Sequence, residues 1–99
     1  MSALEIPRAL VAETVAHLRA ARDRERVVLW LGRRYTGGVR VMEVYLPIQE
    51  TDADYFRIPE AGMAALFAHL RARRQFVAAQ VHTHPETAFH SSADDSWAI

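Results

Sequence analysis

The sequence predicts an α+β domain, a small β-sheet covered by helices, and three observations carry that reading. Two amphipathic stretches each open at a proline, Pro7 and Pro59. Between them lie the uninterrupted apolar run Val27-Val28-Leu29-Trp30-Leu31 and a second β-forming segment, Val39 to Leu46, which ends at Pro47. After the second stretch, Phe76 to Val81 is again β-forming and runs into a histidine-rich C-terminal segment.

The first helix is expected over Pro7 to Arg22. Proline suits a first helical turn, Leu10, Thr14, Val15 and Leu18 recur at helical spacing, and Arg19 and Arg22 suit the negative end of the dipole. His17 falls off that stripe and reads as a solvated side chain. A charged turn, Asp23 to Arg26, leads into Val27–Leu31, whose unbroken run of β-formers marks a strand buried on both faces. Gly32 to Gly38 is expected as a turn, so that Val39–Leu46 pairs back as an antiparallel hairpin. Ile48 to Asp54 is polar and acidic and predicts a loop, with a short extended piece at Tyr55–Ile58. The second helix, Pro59 to Arg73, carries Met63, Leu66, Phe67 and Leu70 on one face; Arg71, Arg73 and Arg74 make a solvated, dipole-compatible end.

Composition narrows the chemistry. With 99 residues and 51% hydrophobic types, the chain is one small domain with a modest core. Twelve arginines balance twelve acids, and lysine is absent, so no global field draws the protein to nucleic acid or an anionic membrane; neither is expected as a partner. Cysteine is absent as well, which excludes a disulfide framework, a thiolate zinc site and a cysteine nucleophile. The start, Met1 to Arg8, lacks the pattern of a signal peptide, and no window approaches a membrane span, so a cytoplasmic location is expected.

The segment His82 to Asp95 concentrates the chemistry, with three of the five histidines inside nine residues. If Phe76–Val81 is a strand, His82 and His84 project from one face and offer two imidazoles to one ion. Zinc accepts histidine nitrogen and carboxylate oxygen, and a catalytic site uses three protein ligands and a water. Asp95, a ten-residue gap after His84, is the natural third ligand. A plainer reading stands beside this one: His-x-His as a coincidence at an exposed strand end, and Ser92-Ala93-Asp94-Asp95 as the capped start of a helix.

Considered together, Glu25 just ahead of an apolar strand, His82-Thr83-His84-Pro85 and Ser92-x-x-Asp95 resemble the JAMM metalloprotease signature of the JAB/MPN superfamily. The similarity extends to Ile6-Pro7-Arg8 opening the first helix, Gly32 ending the first strand and Tyr55-Phe56-Arg57-Ile58 before the second helix. The resemblance implies a mixed sheet in a three-layer-like α/β/α arrangement. It also implies that Zn²⁺ is the cofactor, that His82, His84 and Asp95 bind it, that Glu25 is the general acid/base and that Ser92 helps hold the oxyanion. By residues alone Glu25 is one of several glutamates and Ser92 is an N-cap; Glu5 and Glu43 are set aside because neither stands immediately before that strand. His90 matches no ligand position, and Thr83, between the two histidines, reads as support for the strand.

The implied reaction is hydrolysis of an isopeptide or peptide bond after the C-terminus of a ubiquitin-like protein, as in the bacterial deubiquitinase-like branch. The family also includes processors of sulfur-carrier proteins and non-catalytic scaffolds, which are the alternatives. The family's domain goes on past the point where this sequence stops, so the expectation is one JAB/MPN domain, residues 1–99, lacking its C-terminal part and completed by a missing segment or a partner chain.

Overall fold

Strand β2, Val27–Tyr35, runs through the middle of a computed structural model that describes residues 3–83. It pairs antiparallel with β3 (Gly38–Tyr45) on one side and with β6 (Phe76–His82) on the other. On the far edge of β3, β1 (Ala3–Glu5) lies parallel, giving a four-stranded mixed sheet in the order β1-β3-β2-β6. Two further strands, β4 (Glu50–Thr51) and β5 (Phe56–Arg57), pair with each other. The helices are α1 (Arg8–Ala20) and α2 (Glu60–Arg73). Among the described residues, no helix is long and apolar enough to cross a membrane.

Successive residues of a strand face opposite sides of a sheet, and β2 uses both. Val27, Leu29 and Leu31 point to one side, where they form the core with Leu66 of α2, flanked by Tyr45, Phe56, Ile58 and Leu70. Trp30 points to the other, where its Nε1–H donates to Thr14 Oγ1 of α1 at 2.9 Å. One helix therefore covers each face, and the expected α/β/α layering is observed. The reason is legible in the run itself, since Val27, Val28 and Leu31 are each wholly buried.

Several boundaries differ from expectation. α1 stops at Ala20 rather than Arg22, because Ala21 caps it and Arg22 adopts a left-handed φ of 59°. The expected turn Gly32–Gly38 shrinks to Thr36-Gly37: β2 continues through Gly32 with a register irregularity at Leu31/Gly32, absorbing Arg33, Arg34 and Tyr35 into the ladder. Strand β1 was not expected, since its three residues are all exposed and carry no apolar pattern. Its pairing depends on Gly38, whose φ of +148° and missing side chain admit Ala3, as a Cβ there would lie 2.1 Å from the Ala3 carbonyl oxygen. On α2, Leu66 is buried as expected but Phe67 is 51% exposed. Gly62 is the buried partner near the start of that helix, letting it approach the Ile48 carbonyl.

Candidate active site

The backbone register brings the segment bearing Glu25 and the end of β6 bearing His82 to the same end of the sheet. In the β2/β6 register His82 lies opposite Val27, two residues after Glu25. The Thr83 N–H donates to the Arg26 carbonyl at 3.2 Å and the Thr83 hydroxyl to the Arg24 carbonyl at 3.5 Å, so the end of β6 supports the segment that carries Glu25. Thr83 thus serves the strand, the role its position between two histidines suggests.

The opposite side of the same segment is held by the connection after β3. Extended backbone alternates the direction of its polar groups, so Arg24 and Arg26 turn their carbonyls to β6 while Glu25 and Val27 turn theirs away. The Glu25 N–H donates to the Asp52 carbonyl at 2.7 Å, and the Arg24 guanidinium donates to the Thr51 carbonyl at 3.2 Å. The Val27 N–H donates to Gln49 Oε1 and the Gln49 amide donates back to the Val27 carbonyl, each at 2.9 Å. A cleft of about 220 Å³ lined by Arg26, Leu46, Pro47, Gln49 and Thr51 opens beside this clamp.

Glu25 is buried, at 8% exposure, one of two buried polar residues in the described fold. That burial separates it from the ordinary surface glutamate that the sequence alone suggests. His82 is half-buried, with its ring 5.4 Å from that of Phe56 on β5. Val27 directs its polar groups to Gln49 rather than to β6, which makes Val27/His82 a non-hydrogen-bonded pair with closely spaced side chains.

His84, His90, Ser92 and Asp95 lie outside the described residues. Of the five expected site residues, Glu25 and His82 are therefore the two within the described residues, His82 opposite Val27 and Glu25 two residues before it. Among the described residues, no three His, Cys, Asp or Glu side chains gather as a metal site. Glu43, set aside from the sequence, bridges elements instead: its carboxylate meets His69 Nε2 at 3.0 Å and Arg73 Nε at 3.6 Å, fastening α2 to β3. Glu5 bonds the Tyr35 hydroxyl and lies 3.1 Å from Arg40, a tie between β1 and its neighbours. Gln49 and Asp52, which hold the main chain around Glu25, escape sequence reasoning; the one signal is that they fall in a polar connection, a common place for site residues, whereas Phe56, beside His82, lies in the extended piece that the family resemblance includes.

Comparisons with known proteins agree with this architecture. The chain spans 98% of its length in an alignment with the solution structure of protein DSY2949 from Desulfitobacterium hafniense, at a TM-score of 0.70 and 23% identity, covering 68% of that chain. At that identity the likeness concerns the fold. The chain is also 32% identical over 111 aligned positions to the probable metalloprotease y4jG of Sinorhizobium fredii, an alignment covering 100% of this chain and 68% of the relative. Residues 7–98 match the prokaryotic homologs of the JAB domain, a span that takes in both helices, strands β2 to β6 and the histidine segment, and the chain belongs to that family.

Proposed function

We propose that the protein is a zinc-dependent peptidase of the JAMM type, cleaving the isopeptide or peptide bond that follows the C-terminus of a ubiquitin-like protein. The observation that carries this reading is the burial of Glu25 together with the register that sets His82 opposite Val27, two residues further along. The similarity to a probable metalloprotease supports it.

The one described member of the donor set suits a zinc ion: His82 offers an imidazole at the end of β6, and the absence of cysteine leaves His, Asp and Glu as the strong ligand types. His82, His84 and Asp95 are the proposed ligands. Zinc, when bound, polarises a carbonyl and lowers the pKa of a coordinated water from 15.7 to about 7. Glu25 takes the proton from the attacking water and delivers it to the departing amine, one carboxylate serving both directions. Its main chain is held by the bond from its N–H to the Asp52 carbonyl, and its burial narrows the room for its side chain, which favours proton transfer over a hydrogen-bond distance. Ser92 donates to the developing oxyanion, a contribution typically of about 10²–10³ in rate.

The test uses the full chain with zinc and three substrates: ubiquitin carrying a fluorogenic amide on its C-terminal glycine, a ubiquitin-like protein with a C-terminal extension, and a sulfur-carrier adduct. Cleavage of the first or second is expected, with Glu25→Gln lowering turnover about 10²–10⁴-fold while zinc content is kept. Cleavage of the sulfur-carrier adduct alone would refute the proposed substrate. Equal turnover by wild type and Glu25→Gln would refute the mechanism.

A further inference from the structure

We infer that Gln49 is a positioning residue for Glu25: its side-chain amide acts as an extra rung of the sheet that fixes the connection after β3 against the segment bearing the carboxylate. This inference rests on the catalytic reading of Glu25 given above.

The geometry has a definite cause. β2 and β3 pair as far as Leu29 and Tyr45, and β3 ends there. One pair further along, on the same side of β2, the Val27 N–H and carbonyl face a chain that has left the sheet, and Pro47 in that stretch has no N–H to give. Val27 is wholly buried, so both polar groups need partners. The Gln49 side chain supplies a peptide-like pair, accepting from Val27 N at 2.9 Å and donating to Val27 O at 2.9 Å. Its amide also donates to the Pro47 carbonyl at 3.2 Å, which shapes the chain between those residues.

Two residues earlier on the same side, the Glu25 N–H reaches the Asp52 carbonyl at 2.7 Å, and Asp52 N–H in turn reaches the Tyr55 carbonyl at 2.9 Å. The clamp at Val27 and the bond at Glu25 are thus consecutive rungs on one edge. Gln49 sets the register of the first, and the connection from Gln49 to Asp52 carries that register to the second. Leucine or methionine would fill the volume of Gln49 without supplying either hydrogen bond.

The experiment is amide hydrogen exchange on the full-length chain, joined to steady-state kinetics on the ubiquitin amide. In Gln49→Met, exchange at Val27 and Glu25 is expected to rise at least tenfold while Leu29, held by β3, keeps its wild-type protection. The same variant is expected to lose at least tenfold in kcat with KM within about twofold, since the carboxylate is misplaced while the substrate surface persists. Gln49→Glu keeps an acceptor for the Val27 N–H but at neutral pH sets a second oxygen against two carbonyls. Its protection at Glu25 is therefore expected to be low at neutral pH and to return as the introduced carboxyl protonates and regains a donor.

Unchanged exchange at Glu25 in both variants overturns the inference, as does wild-type kcat in both. If Leu29 loses protection in Gln49→Met, the pH response of Gln49→Glu decides: protection at Glu25 that tracks protonation supports the clamp, and protection indifferent to pH overturns it. Failure of the wild type to cleave any offered substrate sinks the peptidase reading instead, and the exchange results then decide the clamp without it.

Discussion

Thr14 and Trp30 join the outer helix to the central strand through one hydroxyl that both gives and receives. Thr14 Oγ1 donates to the Leu10 carbonyl at 2.8 Å, one helical turn back, and accepts from Trp30 Nε1–H at 2.9 Å. Thr14 is the buried residue of α1, so its hydroxyl has little water to fall back on. Thr14→Val keeps the shape and strands the indole N–H; we expect a loss of about 1–3 kcal/mol in urea unfolding. Wild-type stability in that variant would show that water replaces the hydroxyl. Glu25 is a case where residue-level reading of the sequence falls short, because glutamate before a strand is commonplace. What distinguishes it is burial and the bond from its N–H to Asp52, the latter supplied by chain that returns only after β3.

The edge strand β1 illustrates how an element with no apolar pattern is kept in a sheet. Its Glu5 carboxylate accepts from the Tyr35 hydroxyl and from the Arg40 guanidinium, spanning all three strands on that side. The bond from Tyr35, then that from Arg40, lowers the Glu5 pKa below its ordinary value, and the bond to Glu5 raises that of Tyr35. The signs follow by linkage. For Glu5 the favourable contribution is fully present above the ordinary glutamate pKa of about 4.3 and is lost as pH falls through its lowered folded value. For Tyr35 it is present below the ordinary tyrosine value of about 10 and is lost as pH rises through the raised one. Attachment of β1 is therefore expected to be firmest between those limits. A carboxyl NMR titration should place Glu5 below the unperturbed range, and Tyr35→Phe should move it back toward it. No movement on that substitution would refute the coupling. Gly38→Ala is expected to release β1 altogether, seen as lost protection of its amides, because the new Cβ would collide with the Ala3 backbone.

At the scale of the whole molecule, both helices depend on one strand, so damage to β2 spreads. Leu31→Ala opens a cavity in the core it shares with Leu66 and is expected to cost about 2–5 kcal/mol, read from the denaturation midpoint. On the proposed function, a zinc ion held by His82, His84 and Asp95 would stabilise the fold by mass action, about 2.7 kcal/mol at a hundredfold excess over Kd. Thermal unfolding should shift upward with zinc and return with a chelator. His82→Ala should abolish the shift, and His69→Ala, at the distant Glu43 bridge, should retain it. The reverse pattern would relocate the metal.

Local patterning was enough for the elements that bury a continuous stripe. Val27–Leu31 announces a strand covered on both sides because five apolar, β-forming residues in a row leave no face for water, and the helices open where Pro7 and Pro59 cap them. The grouping of Glu25 with the histidine segment came from resemblance to a family pattern rather than from any periodicity; in the fold His82 lies opposite Val27, two residues after Glu25. Strand β1, the extension of β2 past Gly32 and the Gln49 clamp were not legible. Each depends on hydrogen bonds between segments distant in sequence: β1 on an opening at Gly38, the β2 extension on a register irregularity against β3, Gln49 on where β3 happens to end. Burial preference is written into a side chain, and so the sequence by itself determined which segments form the core and which residue types stand ready for chemistry. Backbone partners are not so written, and only the tertiary structure decided how the segment bearing Glu25 is braced.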